Sequence, residues 1–185
     1  MTKTEARKLA KACRAAVDLH TVGLAMAGLL FALPAWQRAD TVLAFASMPD
    51  EPDTADILRQ ALAESKRLLL PRVLSRTEMD WVEITALSQL QPGAYGILEA
   101  PASLPAFDTA HLGDGALALI PCLATSPDGV RLGRGGGYYD RFLAHYKGKR
   151  LLVCPTAALL GDLPCEGWDV RFSPHEILTE KGILL

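Results

Sequence analysis

The segment from Asp128 to Tyr146, DGVRLGRGGGYYDRFLAHY, gathers bare backbone and charged side chains suited to holding a polyanion. Gly133, Gly135, Gly136 and Gly137 leave the main chain nearly free of side chains, so its N–H groups can come close to a phosphate. Arg131 and Arg134 flank these glycines and can neutralise phosphate oxygens. The segment follows a strand-like run and opens a helical one, which adds the positive end of a helix. Asp140 falls in the first turn of that helix. A carboxylate there favours the helix dipole and could hold a magnesium ion against phosphates. The spacing is neither that of the P-loop nor GxGxxG. A sharp structural turn with an Arg131–Asp140 surface ion pair is the alternative reading of the same residues.

The rest of the chain must position this loop. Its 185 residues fit one domain able to bury a real core, and 50% apolar with 22% charged residues excludes disorder. Lys plus Arg is 19 and Asp plus Glu is 21, a net charge of -2. That balance gives no overall field for nucleic acid or an anionic membrane, so neither is expected as a partner. Cys13, Cys122, Cys154 and Cys165 form no CxxC pair and read as reduced thiols, hence a cytoplasmic protein. His20, His111, His145 and His175 are scattered, and no catalytic histidine is expected.

Hydrophobic periodicity predicts the scaffold. Thr2 or Thr4 caps a first helix through TEARKLAKACRAAVDL, with Ala6, Leu9, Ala10, Cys13 and Val17 on one face and a basic opposite face. A second helix runs from Thr21 to Leu33 and ends at Pro34. It carries no fixed charge, yet His20, Thr21 and two glycines make it poor as a membrane span, so it reads as buried on most of its surface. TVLAFAS, RLLLPRV, MDWVEI, GALALIPCLAT and KRLLVCP read as strands, and one more short strand is expected in WDVRFSPHEILTE. A helix capped by Asp53 or Thr54 and a helix over YYDRFLAHYK lie between them, whereas residues 91–105 are loop-rich. Strands alternating with helices, several apolar on both faces, predict a single α/β domain over residues 1–185. Its layering is Rossmann-like, as in sugar isomerases and CoA transferases, with a mostly parallel sheet covered by helices on both faces.

The loop RLGRGGGYYDRFL strongly resembles the signature of the 5-formyltetrahydrofolate cyclo-ligases, also called methenyltetrahydrofolate synthetases. Further matches come in family order over nearly the whole chain. Lys3 and Arg7 match a Lys and an Arg four residues on in the first helix. Ser47, Met48, Glu51, Asp53 and Thr54 match a strand-to-loop pattern, Leu70 to Val73 a strand end, Pro121 to Gly133 the block before the glycines, and Asp169 an aspartate near the end. Three places depart from the pattern. Thr125-Ser126-Pro127-Asp128 replaces a Phe-Asp, Ala100 separates Glu99 from Pro101, and a Gln before the final Leu-Pro is absent.

The resemblance implies an enzyme of one-carbon metabolism that binds ATP, magnesium and 5-formyltetrahydrofolate and forms 5,10-methenyltetrahydrofolate, ADP and phosphate. It implies phosphate contacts from Lys3, Arg7, Arg131, Leu132, Gly133, Arg134, Gly135, Gly136, Gly137, Tyr138 and Tyr139. It implies folate contacts from Met48, Asp53 and the stretch Arg134 to Tyr138, with Asp140 and Asp169 on magnesium. Arg134, Tyr138 and Tyr139 are the expected catalytic residues, and a monomer is expected. The missing Phe and Gln leave an alternative: a weakly active or inactive relative that still binds folate or nucleotide. Arg72, after a strand, is a further candidate for a phosphate or glutamate-tail contact.

Overall fold

The computed structural model describes residues 1–93 and 97–185. Its centre is a strip of near-continuous aliphatic strands. In chain order the strands are β1 (Thr41–Leu43), β2 (Arg67–Val73), β3 (Met79–Ile84), the short separate pair β4 (Gln91–Pro92) and β5 (Leu98–Glu99), and β6 (Ala116–Pro121). A hairpin of β7 (Ala124–Thr125) and β8 (Arg131–Leu132) follows, then β9 (Lys149–Val153), β10 (Ile177–Thr179) and β11 (Gly182–Ile183). Seven of these form one sheet in the order β11-β10-β9-β6-β1-β2-β3. The five inner strands are mutually parallel, and β3 and β11 run antiparallel at the edges.

Alternation along each strand feeds two separate cores. Val42, Leu68, Leu70, Leu117 and Leu119 face α2 (Leu19–Ala32), α3 (Pro34–Gln37) and α4 (Ala55–Ala63). Leu43, Leu69, Ala118, Ile120 and Leu152 face α1 (Lys3–Ala15) and α5 (Tyr138–Leu143). Because both faces are covered, nearly every residue of a central strand must be apolar. This is the expected α/β layering, with a mostly parallel sheet and helices on both faces.

The connections decide where a ligand can bind. From β1 the chain crosses through α4 to β2 on one side. From β6 it crosses through the hairpin and α5 to β9 on the other. β1 and β6 are neighbours, so a crevice opens between them at their carboxyl ends, the switch point where ligands of open α/β sheets bind.

Several sequence expectations need correction. Ala6 and Ala10 are buried on α1 as expected, but Leu9 and Val17 are exposed. Arg14, assigned to the basic outer face, is only 1% exposed. Helix α2 starts at Leu19 under Asp18, which accepts the His20 N–H at 3.1 Å. It buries one stripe (Gly23, Met26, Ala27, Leu30) while Leu24 and Leu29 face solvent, so it is not buried over most of its surface. No single helix among the described residues is long and apolar enough to cross a membrane. The run GALALIPCLAT is not one strand. It leaves the main sheet at Pro121 and enters the hairpin, whose turn places Gly129 at φ +85°, with the Phe172 carbonyl where a Cβ would stand. The helix over YYDRFLAHYK is six residues, Tyr138–Leu143. Residues 94–96, in the stretch read as loop, lie outside the described residues.

Leu119, wholly buried in the middle strand β6, tests the core: Leu119→Ala is expected to lower unfolding free energy by about 2–5 kcal/mol in urea titration, and a loss under about 1 kcal/mol would show a poorly packed centre.

Candidate active site

A cavity of about 970 Å³ occupies the switch-point crevice. One part is cationic and polar, formed by Lys3, Arg7, Arg131, the run Gly133 to Tyr139, Asp140, Glu166 and Asp169. The other is mostly apolar, formed by Phe45, Met48, Leu70, Val73, Met79 and Leu98, with Glu51 and Glu99 among them. Of the residues expected at the site, all but Asp53 and the further candidate Arg72 line it.

The glycine loop is held open from below. Arg7 Nε donates to the Gly133 carbonyl at 3.0 Å. Gly135 adopts φ +105°, and a Cβ there would stand 3.3 Å from the Arg7 guanidinium. A side chain at this position would therefore be strained and would crowd Arg7. Among the described residues, the main-chain N–H groups of residues 134–137 have no acceptor. Unpaired N–H groups on a loop that lines an open cavity can form an anion-binding concavity.

Three of the cations around this loop, Lys3, Arg131 and Arg134, are matched to carboxylates. Lys3 Nζ bridges Asp169 at 2.9 Å and Glu166 at 2.5 Å. Burial alone lowers the Lys3 ammonium, but the bonds to Glu166 and Asp169 outweigh it and raise the group above ordinary lysine. Burial likewise works against the Asp169 carboxylate, and the Lys3 hydrogen bond overcomes it, holding the pKa below its ordinary value. Arg131 is anchored by the Pro121 carbonyl at 3.0 Å and reaches Asp140 at 3.1 Å. Its side chain is 6% exposed, so the pair is not a surface ion pair. Arg134 crosses the crevice to Asp50 at 2.5 Å and Glu51 at 2.9 Å. It is thus the one contact among these that ties the glycine loop to the loop after β1.

The two tyrosines separate by partner. Tyr138 donates its hydroxyl to the Ser75 carbonyl at 2.8 Å. Tyr139 packs edge-on to Trp81, with ring centroids 6.3 Å apart, beneath the Arg131 guanidinium at 5.5 Å. Burial, with Glu51 adding to it, pushes the Tyr139 phenol well above the ordinary value, so it remains a proton-bearing donor.

Asp53 does not face the cavity. Its carboxylate accepts the Ala55 N–H at 2.8 Å and meets His20 at 2.9 Å, a helix-capping role on α4 that turns it away. Glu51, two residues earlier, is the carboxylate of this loop that lines the cavity. It accepts the Met48 N–H at 3.0 Å and is 7% exposed. Arg72 is also committed elsewhere, to Asp80 at 2.6 Å and the Pro101 and Leu104 carbonyls. None of Thr125 to Asp128 lines the cavity. Thr125 and Ser126 spend their hydroxyls on the hairpin.

Arg14 is the residue that sequence reasoning missed. Its guanidinium donates to the carbonyls of Leu123 at 2.8 Å, Asp50 at 2.7 Å and Cys122 at 2.5 Å. It therefore pins α1 to the loop after β1 and to the segment after β6, the two sides of the crevice. Its one legible signal is its place on the Ala6–Ala10 face, one turn further on.

A sequence profile of the 5-formyltetrahydrofolate cyclo-ligase family matches residues 3–180. The chain belongs to that family. The 5-formyltetrahydrofolate cyclo-ligase of Escherichia coli K12 is 30% identical over 154 residues, covering 80% of this chain and 84% of that one. The namesake from Mycolicibacterium smegmatis is 29% identical over 152 residues, covering 78% and 76%. The solved 5,10-methenyltetrahydrofolate synthetase of Aquifex aeolicus superposes with a TM-score of 0.83 at 26% identity, covering all of this chain and 92% of that one. A methenyltetrahydrofolate synthetase from Mycoplasma pneumoniae, at 20% identity and TM-score 0.74, shares the fold. The cyclo-ligase fold thus places the family's signature loop at the switch point of this sheet.

Arg14→Ala is expected to destabilise the protein by about 3 kcal/mol in chemical denaturation, because it strips charge-assisted hydrogen bonds from three carbonyls. A change under about 0.5 kcal/mol would show that those carbonyls find other donors.

Proposed function

We propose that this cyclo-ligase converts 5-formyltetrahydrofolate and ATP into 5,10-methenyltetrahydrofolate, ADP and phosphate. The observation that carries the reading is a single cavity whose cationic, glycine-lined part adjoins an apolar part closed by a buried glutamate. The first suits a triphosphate, and the second suits a flat heterocycle with polar edges.

The chemistry needs activation. The formyl oxygen is a poor leaving group until it is phosphorylated. It attacks the γ-phosphorus, the bond to the ADP oxygen breaks, and an N5-iminium phosphate results. N10 then adds to the formyl carbon and loses its proton, and the oxygen departs as phosphate. Phosphoryl transfer of this kind asks the protein for positioning and for charge stabilisation rather than for covalent help. The N–H groups of residues 134–137 receive phosphate oxygens, with Lys3, Arg7, Arg131, Leu132, Gly133 and Arg134 around them. Arg134 stands where loop and folate part meet, able to leave Asp50 and Glu51 for the transferring group. Glu51, rather than Asp53, accepts the donor edge of the pterin, and Met48 supplies a polarisable wall. Tyr139, a partly buried phenol that keeps its proton, donates to oxygen near the reaction centre, while Tyr138 shapes the wall from its bond to Ser75.

Magnesium fits the donor set only in part. Among the described residues no group of three His, Cys, Asp or Glu side chains forms a closed metal site. Asp140 and Asp169 both line the cavity and offer hard oxygen donors, which suits an ion bound by one or two carboxylates together with substrate phosphates. When bound, the ion neutralises charge on the phosphate oxygens.

With purified protein, ATP hydrolysis should depend strictly on 5-formyltetrahydrofolate, and the absorbance of the conjugated methenyl product should rise with it. No product at saturating ATP and magnesium would sink the reading. Tyr139→Phe is expected to lower kcat by about tenfold to a hundredfold, whereas Tyr138→Phe changes it by less than about threefold. The reverse ranking would assign the chemical role to Tyr138.

A further inference from the structure

We infer that Trp168 is the stacking platform for the purine base of the nucleotide, an assignment that rests on the functional reading above. Trp168 is 74% exposed, whereas Trp36 and Trp81 are 1% and 3% exposed. Exposure alone says little, because single apolar residues are common on surfaces. Its position says more. The indole lines the cavity between Glu166 and Asp169. These two residues hold Lys3, so Trp168 stands at the phosphate-binding end.

Helix α1 separates that end from the folate part. Lys3, in its first turn, meets Glu166 and Asp169. Arg14, in its last turn, meets the Asp50 carbonyl. Eleven residues at 1.5 Å each put about 16 Å between the two. The apolar part with Met48 and Glu51 therefore belongs to the Asp50 end of the cavity, and Trp168 to the Lys3 end. A nucleotide whose phosphates lie on the glycine loop, with the folate in the apolar part, can place its base beyond Lys3, against the indole.

The turn that carries Trp168 is closed at both ends. The Asp169 N–H donates to the Glu166 carbonyl at 3.0 Å, and the Glu166 N–H donates to the Asp169 carboxylate at 2.8 Å. This doubly closed turn holds the backbone of the two residues between them, Gly167 and Trp168, so that part of the ordering is done before a base stacks on the ring. Stacking on an aromatic side chain accepts any base face, so modest discrimination among nucleoside triphosphates follows.

The two other indoles are buried, so quenching of tryptophan emission by acrylamide reports on Trp168. Adding ADP with magnesium should protect the emission, and inorganic tripolyphosphate should not. Trp168→Phe should remove the protectable component. Trp168→Ala should weaken ADP about tenfold and tripolyphosphate less than twofold, leaving the KM for 5-formyltetrahydrofolate unchanged. Equal protection by tripolyphosphate, or a Trp168→Ala effect confined to the folate KM, would overturn the assignment while sparing the functional reading. Failure of the unaltered protein to bind either polyphosphate would overturn both.

Discussion

The structure depends on a short stretch of main chain kept from folding on itself. Residues 134–137 carry N–H groups without acceptors beside an open cavity, and such groups usually collapse onto a neighbouring carbonyl. Arg7 prevents this by gripping the Gly133 carbonyl, and the left-handed turn at Gly135 leaves no Cβ to fill the gap. Everything else holds that stretch in place. The hairpin of β7 and β8 carries it out of the sheet, α5 carries it back, and α1 lies across it.

Charge is arranged with the same economy. Lys3, Arg131 and Arg134 each have a carboxylate partner facing the same cavity. Burying cations without partners is costly, and pairing them keeps the empty site stable. A polyphosphate bound as proposed would compete for cations already aimed inward. The carboxylates it freed, Asp140 and Asp169 among them, would be hard donors open to a divalent ion. Ligand and ion can therefore replace the internal pairs together, without leaving a buried charge alone.

Much of this was legible in the sequence because it is local. Aliphatic runs of strand length marked β2, β6 and β9, and glycines between two arginines marked the loop. What escaped was set by contacts across long separations. Arg14 looks like one more solvated base until carbonyls 36 and more than 100 residues away close around it. Asp53 and Glu51 are indistinguishable as carboxylates in a loop. The start of α4 claims Asp53, and the turn that returns Glu51 to the Met48 N–H aims Glu51 inward. The continuous look of GALALIPCLAT hid the break at Pro121, because both halves are buried, one in the sheet and one in the hairpin.

The most direct test of the central claim is an amide-resolved NMR titration of the protein with ADP and magnesium. The account predicts that the N–H resonances of residues 134–137 move downfield together and gain protection from exchange. If these four amides stay unmoved while ligand binds elsewhere in the chain, the glycine loop is not the phosphate receptor.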